Sequence, residues 1–256
     1  MSRQMIRRLK PEEEEILRKR EELAVFRATL AERELELVDL RSQLATFEGR
    51  YLRQVGVLYA ELDEWNARIS ELQARVDPSA AATERARAAR EQARRTFDDA
   101  HDKASEARDF APSAELKNLF REVAKRIHPD FCRDSADLER RNRLMAEANR
   151  AYEVGDSEAL RRILDEYHDG ADSVEGEGIG AELIRIIRQI SQARERVSVI
   201  ESELAALRQS EIALLKRQAE EREQEGRDLL AELASTVREK IERAKRDHEA
   251  LAKTGG

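Results

Sequence analysis

An apolar residue returns every seventh position from Leu9 to Leu72: Leu9, Ile16, Leu23, Leu30, Leu37, Leu44, Tyr51, Leu58, Trp65 and Leu72. An ideal helix has 3.6 residues per turn, so a row with this period drifts slowly around it. The row stays buried only if a second helix winds along with it. In the first half of the stretch a second core position follows three residues later, at Phe26, Leu40 and Phe47. In the second half it follows four later, at Val55, Leu62, Ile69 and Val76. The partner row thus slips by one residue near Gly49–Gly56, and a change in supercoil or a kink is expected there. The periodicity predicts a long helix over about 12–76, with Pro11 just ahead of it and Asp77-Pro78-Ser79 closing it.

A narrow seam flanked by charge fits the composition. Of 256 residues, 39% are charged and 4% aromatic, with ten Gly and four Pro, the profile of long helices and coiled coils. Hydrophobics at 40% are too many for a disordered polyelectrolyte. The net charge of −7 argues against simple electrostatic binding to nucleic acid or an anionic membrane. Neither is expected as a partner, and the Arg-rich run 85–95 reads as a solvated helix face. The single Cys132 permits no internal disulfide, and no Cys/His spacing suggests zinc. The start of the chain is charged and no apolar run approaches the roughly 20 residues of a membrane span, so a cytoplasmic location is expected.

The prolines and glycines divide the chain. Residues 1–78 form the N-terminal coiled-coil segment and 79–110 a connecting helix with a thin apolar face, Ala86, Ala89, Ala93, Phe97, Ala100 and Ala104. Residues 111–168 form a compact central unit, and 169–180, Gly-rich and acidic, a flexible hinge. Residues 181–256 form a second coiled-coil segment. Its seam rows are Leu183, Ile190, Val197, Leu204 and Ile186, Ala193, Ile200, Leu207, Leu214; the pattern weakens around 216–228 and resumes at Leu230, Val237, Ala244 and Leu251. The expected fold is all-α, with the two long helices packed as an antiparallel hairpin and the central unit at its tip. The same seams would also serve a homodimer.

Within the central unit, a helix over about 113–127 buries Leu116, Phe120, Val123 and Ile127 and carries Lys117, Arg121, Lys125 and Arg126 on another side. Pro129 must end it and push His128 out of helical geometry. His128 and Asp130 are therefore expected to project from a stiff exposed bend. A helix over about 136–154 follows, with Leu144, Met145, Ala148, Ala151 and Tyr152 apolar, then a short one over about 157–167 with Leu160, Ile163 and Leu164.

These residues carry a resemblance. Glu115-Leu116-Lys117, Phe120-Arg121-Glu122-Val123-Ala124, His128-Pro129-Asp130 and Asn149-Arg150-Ala151-Tyr152-Glu153-Val154 stand in the order and register of the J domain of DnaJ-like co-chaperones. The resemblance covers roughly 111–167. The family's first-helix signature is absent, and segment 95–110 lies where that helix would be. Met145, Ala148 and Gly155 replace the usual Phe, Ile and Leu. The zinc-binding cysteine repeats and Gly/Phe-rich linker of full DnaJ are missing.

The resemblance implies binding to a DnaK-type heat-shock chaperone and stimulation of its ATPase. His128, Pro129 and Asp130 would form the activating loop. Lys117, Arg121, Lys125 and Arg126 would form the face that docks on an acidic chaperone surface, with Asn149 in support. The coiled coil would then be the arm that binds a client or assembly. No cofactor or metal is implied, and no enzyme: a His/Asp pair could do acid–base work, but no nucleophile constellation or phosphate loop accompanies it. The rival reading is a coiled-coil scaffold whose J-like unit no longer activates a chaperone.

Overall fold

The structure, a computed structural model, describes residues 10–106, 110–132, 134–167 and 178–254. The described residues are helical, with no strand among them. The chain divides into two units. The first comprises 1–42 and 110–208, the second 43–109 and 209–256. Leu9 and residues 169–177 of the expected hinge lie outside the described residues.

Helix α1 (Pro11–Tyr51) opens on a proline, whose missing N–H costs nothing in the first turn. In the first unit it shows two buried stripes. Ile16, Leu23, Leu30 and Leu37 pack with Ile186, Ile190, Ala193, Ile200 and Leu204 of α7 (Ile179–Arg208). A second stripe, Ala31, Leu35 and Val38, joins the core of the central unit with Leu116, Phe120, Val123, Ile127, Ala148 and Tyr152. The seam of α1 is thus filled from within the chain.

Flanking ion pairs fix the direction of α1 and α7. Glu22 meets Arg194 (2.5 Å), Glu34 meets Arg196 (2.9 Å) and Arg41 meets Glu203 (2.8 Å), with Arg20–Glu182 and Glu36–Arg208 at either end. Residue numbers rise together, so the two helices are parallel. The expected antiparallel hairpin is incorrect for this pair. α7 begins beside the first half of α1, where Glu182 meets Arg20.

The central unit contains α4 (Ala114–Ile127), a 3-10 turn (Pro129–Phe131), α5 (Ser135–Glu153) and α6 (Ser157–Glu166). Arg141, near the start of α5, reaches the last turn of α4, and Tyr152 at its other end packs on Phe120 (ring centroids 5.0 Å apart). The two helices are therefore antiparallel. Each start has its cap: Ser113 Oγ accepts from Leu116 N–H (3.1 Å), Asp134 from Asp137 N–H (2.8 Å) and Asp156 from Ala159 N–H (2.9 Å). Gly155 has φ +74°, and Asp156 N–H closes back on Ala151 C=O (2.8 Å). This left-handed terminus explains a glycine where Leu would continue the helix. Gly155→Ala, strained there, is expected to cost about 1 kcal/mol of stability by denaturant titration.

In the second unit a π-helical turn, Leu52–Gly56, precedes α2 (Val57–Val76). A π turn holds one extra residue, which is what a one-residue slip of the seam requires. α3 (Ala80–Glu106) runs antiparallel to α2, with Arg90 on Glu64 and Glu71 and Thr96 on Asp63. Its face buries Ala82, Ala86, Ala93 and Ala100, while Phe97 is exposed; the side chains of 101–106 lie outside the described residues.

α3 belongs to this second unit, so residues 95–106 do not stand in for a helix of the central unit; 107–109 lie outside the described residues, and Phe110 belongs to the first unit, packed on Tyr152. The second stripe of α1 packs there instead. The expected long helix 181–252 is also broken. α8 (Glu211–Gln224) starts at Ser210, which accepts from Ala213 N–H (3.4 Å), and α9 (Leu229–Thr254) starts at Asp228, which accepts from Ala231 N–H (3.0 Å). Gly226, φ +74°, lies between them. Leu230, Val237 and Ile241 of α9 share a core with Phe47 and Val55. Among the described residues no helix is long and apolar enough to cross a membrane.

Candidate functional site

The bend at 128–130 forms where Pro129 ends α4. His128 takes φ −56°, ψ 133°, the extended geometry imposed by a following proline. The backbone matches the sequence reading, but the side chain does not. His128 is only 3% exposed, a correction to the projecting histidine expected from sequence. The ring tilts against Phe131 (centroids 5.7 Å apart), and Nε2 lies 3.2 Å from Glu34 Oε1 of α1. Asp130 N–H donates to Nδ1 (3.2 Å). Nδ1 is thus an acceptor, and Nε2 carries the proton toward Glu34.

Glu34 is buried and also receives Arg196 (2.9 Å). Burial alone would raise its pKa, but the hydrogen bond from His128 and the Arg196 guanidinium together hold it below the usual carboxylate range. A lowered folded pKa contributes stability above the unfolded value of about 4.3, lost as pH falls through the folded one. The stability gap between the native protein and Glu34→Gln is therefore expected to be widest near neutrality and to narrow below about pH 4.3. Thermal unfolding of both proteins across the acid range checks this.

Asp130 has the opposite character. It is half-buried, its Oδ2 has no hydrogen-bond partner among the described residues, and Nδ1 of His128 stands 3.6 Å away. Burial is the main cause of its raised pKa. A raised carboxyl pKa disfavours the folded state as pH climbs through it. Asp130→Asn is expected to stabilise the fold by about 1 kcal/mol at neutral pH, with the advantage vanishing below about pH 4.

Arg141 closes the bend from below. It is 4% exposed; Nη1 donates to the carbonyls of Arg126 (3.0 Å) and His128 (3.3 Å), and Nε to Asp137 (2.9 Å). Asn149, expected to support the bend or helix packing, is half-buried on α5, with no hydrogen bond to the bend among the described residues. Arg141 braces the bend. Cys132, next in the chain, is half-buried, and burial pushes its thiol pKa up.

The basic face is split. Lys117 Nζ donates to Asp39 (3.0 Å), which also accepts from Tyr152 OH (3.0 Å). Burial and Asp39 together push the Tyr152 hydroxyl pKa well above its ordinary value. Arg121 forks onto Glu32 and reaches Asn118 (2.8 Å). Lys125 and Arg126 are exposed. Three carboxylates of α1, Glu32, Glu34 and Asp39, thus engage Arg121, His128 and Lys117. Sequence reasoning missed these carboxylates, Arg141 and Arg196.

Among the described residues no cluster of His, Cys, Asp and Glu is arranged to hold a metal ion. No family model, no curated protein and no solved structure matches this chain.

Proposed function

We propose that the chain is a J-type co-chaperone whose activating bend is held closed by α1. The observation that carries this reading is Asp130. Its carboxylate is half-buried and unsatisfied beside an ordered His-Pro turn, a cost with no return to the fold. Such a group is what an activating loop needs ready for a partner's donor. Lys125 and Arg126, exposed on the adjoining turn of α4, give a cationic approach for an acidic surface.

The chemistry would belong to the chaperone. This protein would bind the hydrolysis-competent state better than the resting one, and a tenfold stimulation needs only about 1.4 kcal/mol of such preference. Docking would exchange the α1 carboxylates for acids of the partner, freeing Lys117, Arg121 and His128. The second unit would serve as the client-binding arm.

A second reading is favoured by the burial of His128 itself. A histidine sealed by Glu34 and Phe131 can be a structural clamp, which would make the chain a scaffold. Steady-state ATPase of a DnaK-type chaperone separates the two. Stimulation by the native protein, largely lost in His128→Gln at unchanged helicity, supports the co-chaperone. Equal rates with and without the protein, native or with Glu32→Gln, Glu34→Gln and Asp39→Asn combined, support the scaffold.

A further inference from the structure

Two hydrogen-bond acceptors face each other at the bend. Nδ1 of His128 bears a lone pair, and Oδ2 of Asp130 stands 3.6 Å from it, buried and without a hydrogen-bond partner among the described residues. The Asp130 N–H donates to the same Nδ1 (3.2 Å), which keeps the carboxyl in register with the ring. What this pair lacks is one proton. Held on Nδ1, it donates to the carboxylate; held on Oδ2, it donates to the ring. A movement of under about 1 Å brings the two atoms to hydrogen-bond distance, and the Asp130 N–H then yields its acceptor.

The charged groups around the pair come from three helices. Glu34 of α1 meets Nε2 (3.2 Å), and Arg27 lies over the Phe131 ring (4.8 Å to the centroid). Arg196 of α7 sits on Glu34, and Glu195 acts on Asp130 through its charge. Arg141 of α5 donates to the His128 carbonyl and pairs with Asp137. Arg133, in the same loop, lies outside the described residues. Arg196 and Arg141 oppose a new positive charge, while Glu34 and Asp130 favour it. Arg196 is met by Glu34 (2.9 Å) and Glu203 (3.3 Å), and Arg141 by Asp137 (2.9 Å). No Lys or Arg among the described residues contacts the Asp130 carboxylate.

We infer that His128 and Asp130 form one proton-binding site that locks the bend onto α1 when it fills. A solvent proton enters between Nδ1 and Oδ2, the orphaned carboxyl turns onto the ring, and Glu34 holds the other side. Burial, which already disfavours the Asp130 carboxylate, acts in the same direction. Glu34, held below the usual carboxylate range, stays charged as the site fills. The filled site withdraws the Asp130 carboxylate from any partner's donor, so acid silences the bend. The lock is a property of the chain alone; its use against a chaperone rests on the co-chaperone reading.

Nitrogen-15 NMR of histidine-labelled full-length protein, from about pH 8 to about pH 5, covers the range in which imidazoles and raised carboxyl groups titrate. His128→Gln identifies the His128 signals. Nδ1 is expected to leave its lone-pair position as pH falls, while Nε2 stays protonated. Asp130→Asn, whose amide takes up no proton, is expected to move the midpoint at least about one unit lower. The amides of Phe131 and Cys132 donate to the His128 and Pro129 carbonyls (3.1 and 3.0 Å), so their hydrogen exchange reports opening of the bend. Corrected for the intrinsic rate, their protection is expected to rise about tenfold across this range in the native chain, and less than about twofold in Asp130→Asn. An Nδ1 that does not titrate, an unchanged midpoint in Asp130→Asn, or equal gains in protection by both proteins would overturn the lock. The expected titration in a chain that binds no DnaK-type chaperone would keep the lock and remove the co-chaperone reading.

Discussion

Leu35→Ala on α1 is expected to destabilise the first unit by about 2–5 kcal/mol and to raise hydrogen exchange in α4 and α5. Leu35 is buried beside Ala31 and Val38 in a cluster whose other members include Phe120, Ile127 and Tyr152. Truncation removes three carbons and leaves a cavity between helices that already pack small residues, Ala124, Ala148 and Ala151. Those alanines leave little bulk to collapse into the gap, so the cost should fall well inside the large-to-small range. If α1 were only a coiled-coil arm, exchange in α4 and α5 would not change. Denaturant titration with exchange mapping distinguishes the two.

The second large effect is functional. The combined replacement Glu32→Gln, Glu34→Gln and Asp39→Asn is expected to tighten binding to a DnaK-type chaperone by ten- to a hundredfold. The contacts removed are those on Arg121, His128 and Lys117. The exposed Arg121–Glu32 pair and the part-buried Lys117–Asp39 pair contribute up to about 1 kcal/mol each, and the buried His128–Glu34 contact more. Together they bias the closed form by roughly 3 kcal/mol, and apparent affinity scales with the open fraction. In Glu34→Gln the amide oxygen still accepts, but Arg196 and the His128 N–H lose the carboxylate charge that held them, which further favours opening. Weaker binding by the triple variant, with helicity intact, would mean that these carboxylates assist the contact.

Much of the fold was legible because it depends on periodicity. The seven-residue row of α1 found its seam, and the slip from three- to four-residue spacing near Gly49–Gly56 falls where the π turn Leu52–Gly56 lies, though the sequence predicts a supercoil change or a kink there. Ser113, Pro129 and Asp156 marked helix ends within one residue. Direction was not legible, because a seam of Leu and Ile is the same read either way. The flanking charges held that information, with Arg20, Glu34 and Arg41 each 162 residues from Glu182, Arg196 and Glu203. The stripe Ala31, Leu35, Val38 was visible too, hidden by the stronger heptad beside it.

The site was legible as a set of residues but not as an environment. Proline fixed the backbone of His128, yet ring exposure depends on what lies across from it, and Glu34 is 94 residues away in sequence. Arg141 shares the face of Met145, Ala148 and Tyr152 at helical spacing, a usable signal lost among the many arginines of α5.

The account stands or falls on whether α1 restrains an active bend. The most direct measurement is steady-state ATPase of a DnaK-type chaperone with three proteins: native, the triple α1 variant, and the triple variant carrying His128→Gln. The account predicts modest stimulation by the native chain, about tenfold more by the opened variant, and a return to the basal rate when His128 is replaced in the opened form. Equal rates for all three, with the α1 contacts shown to be released, would contradict it.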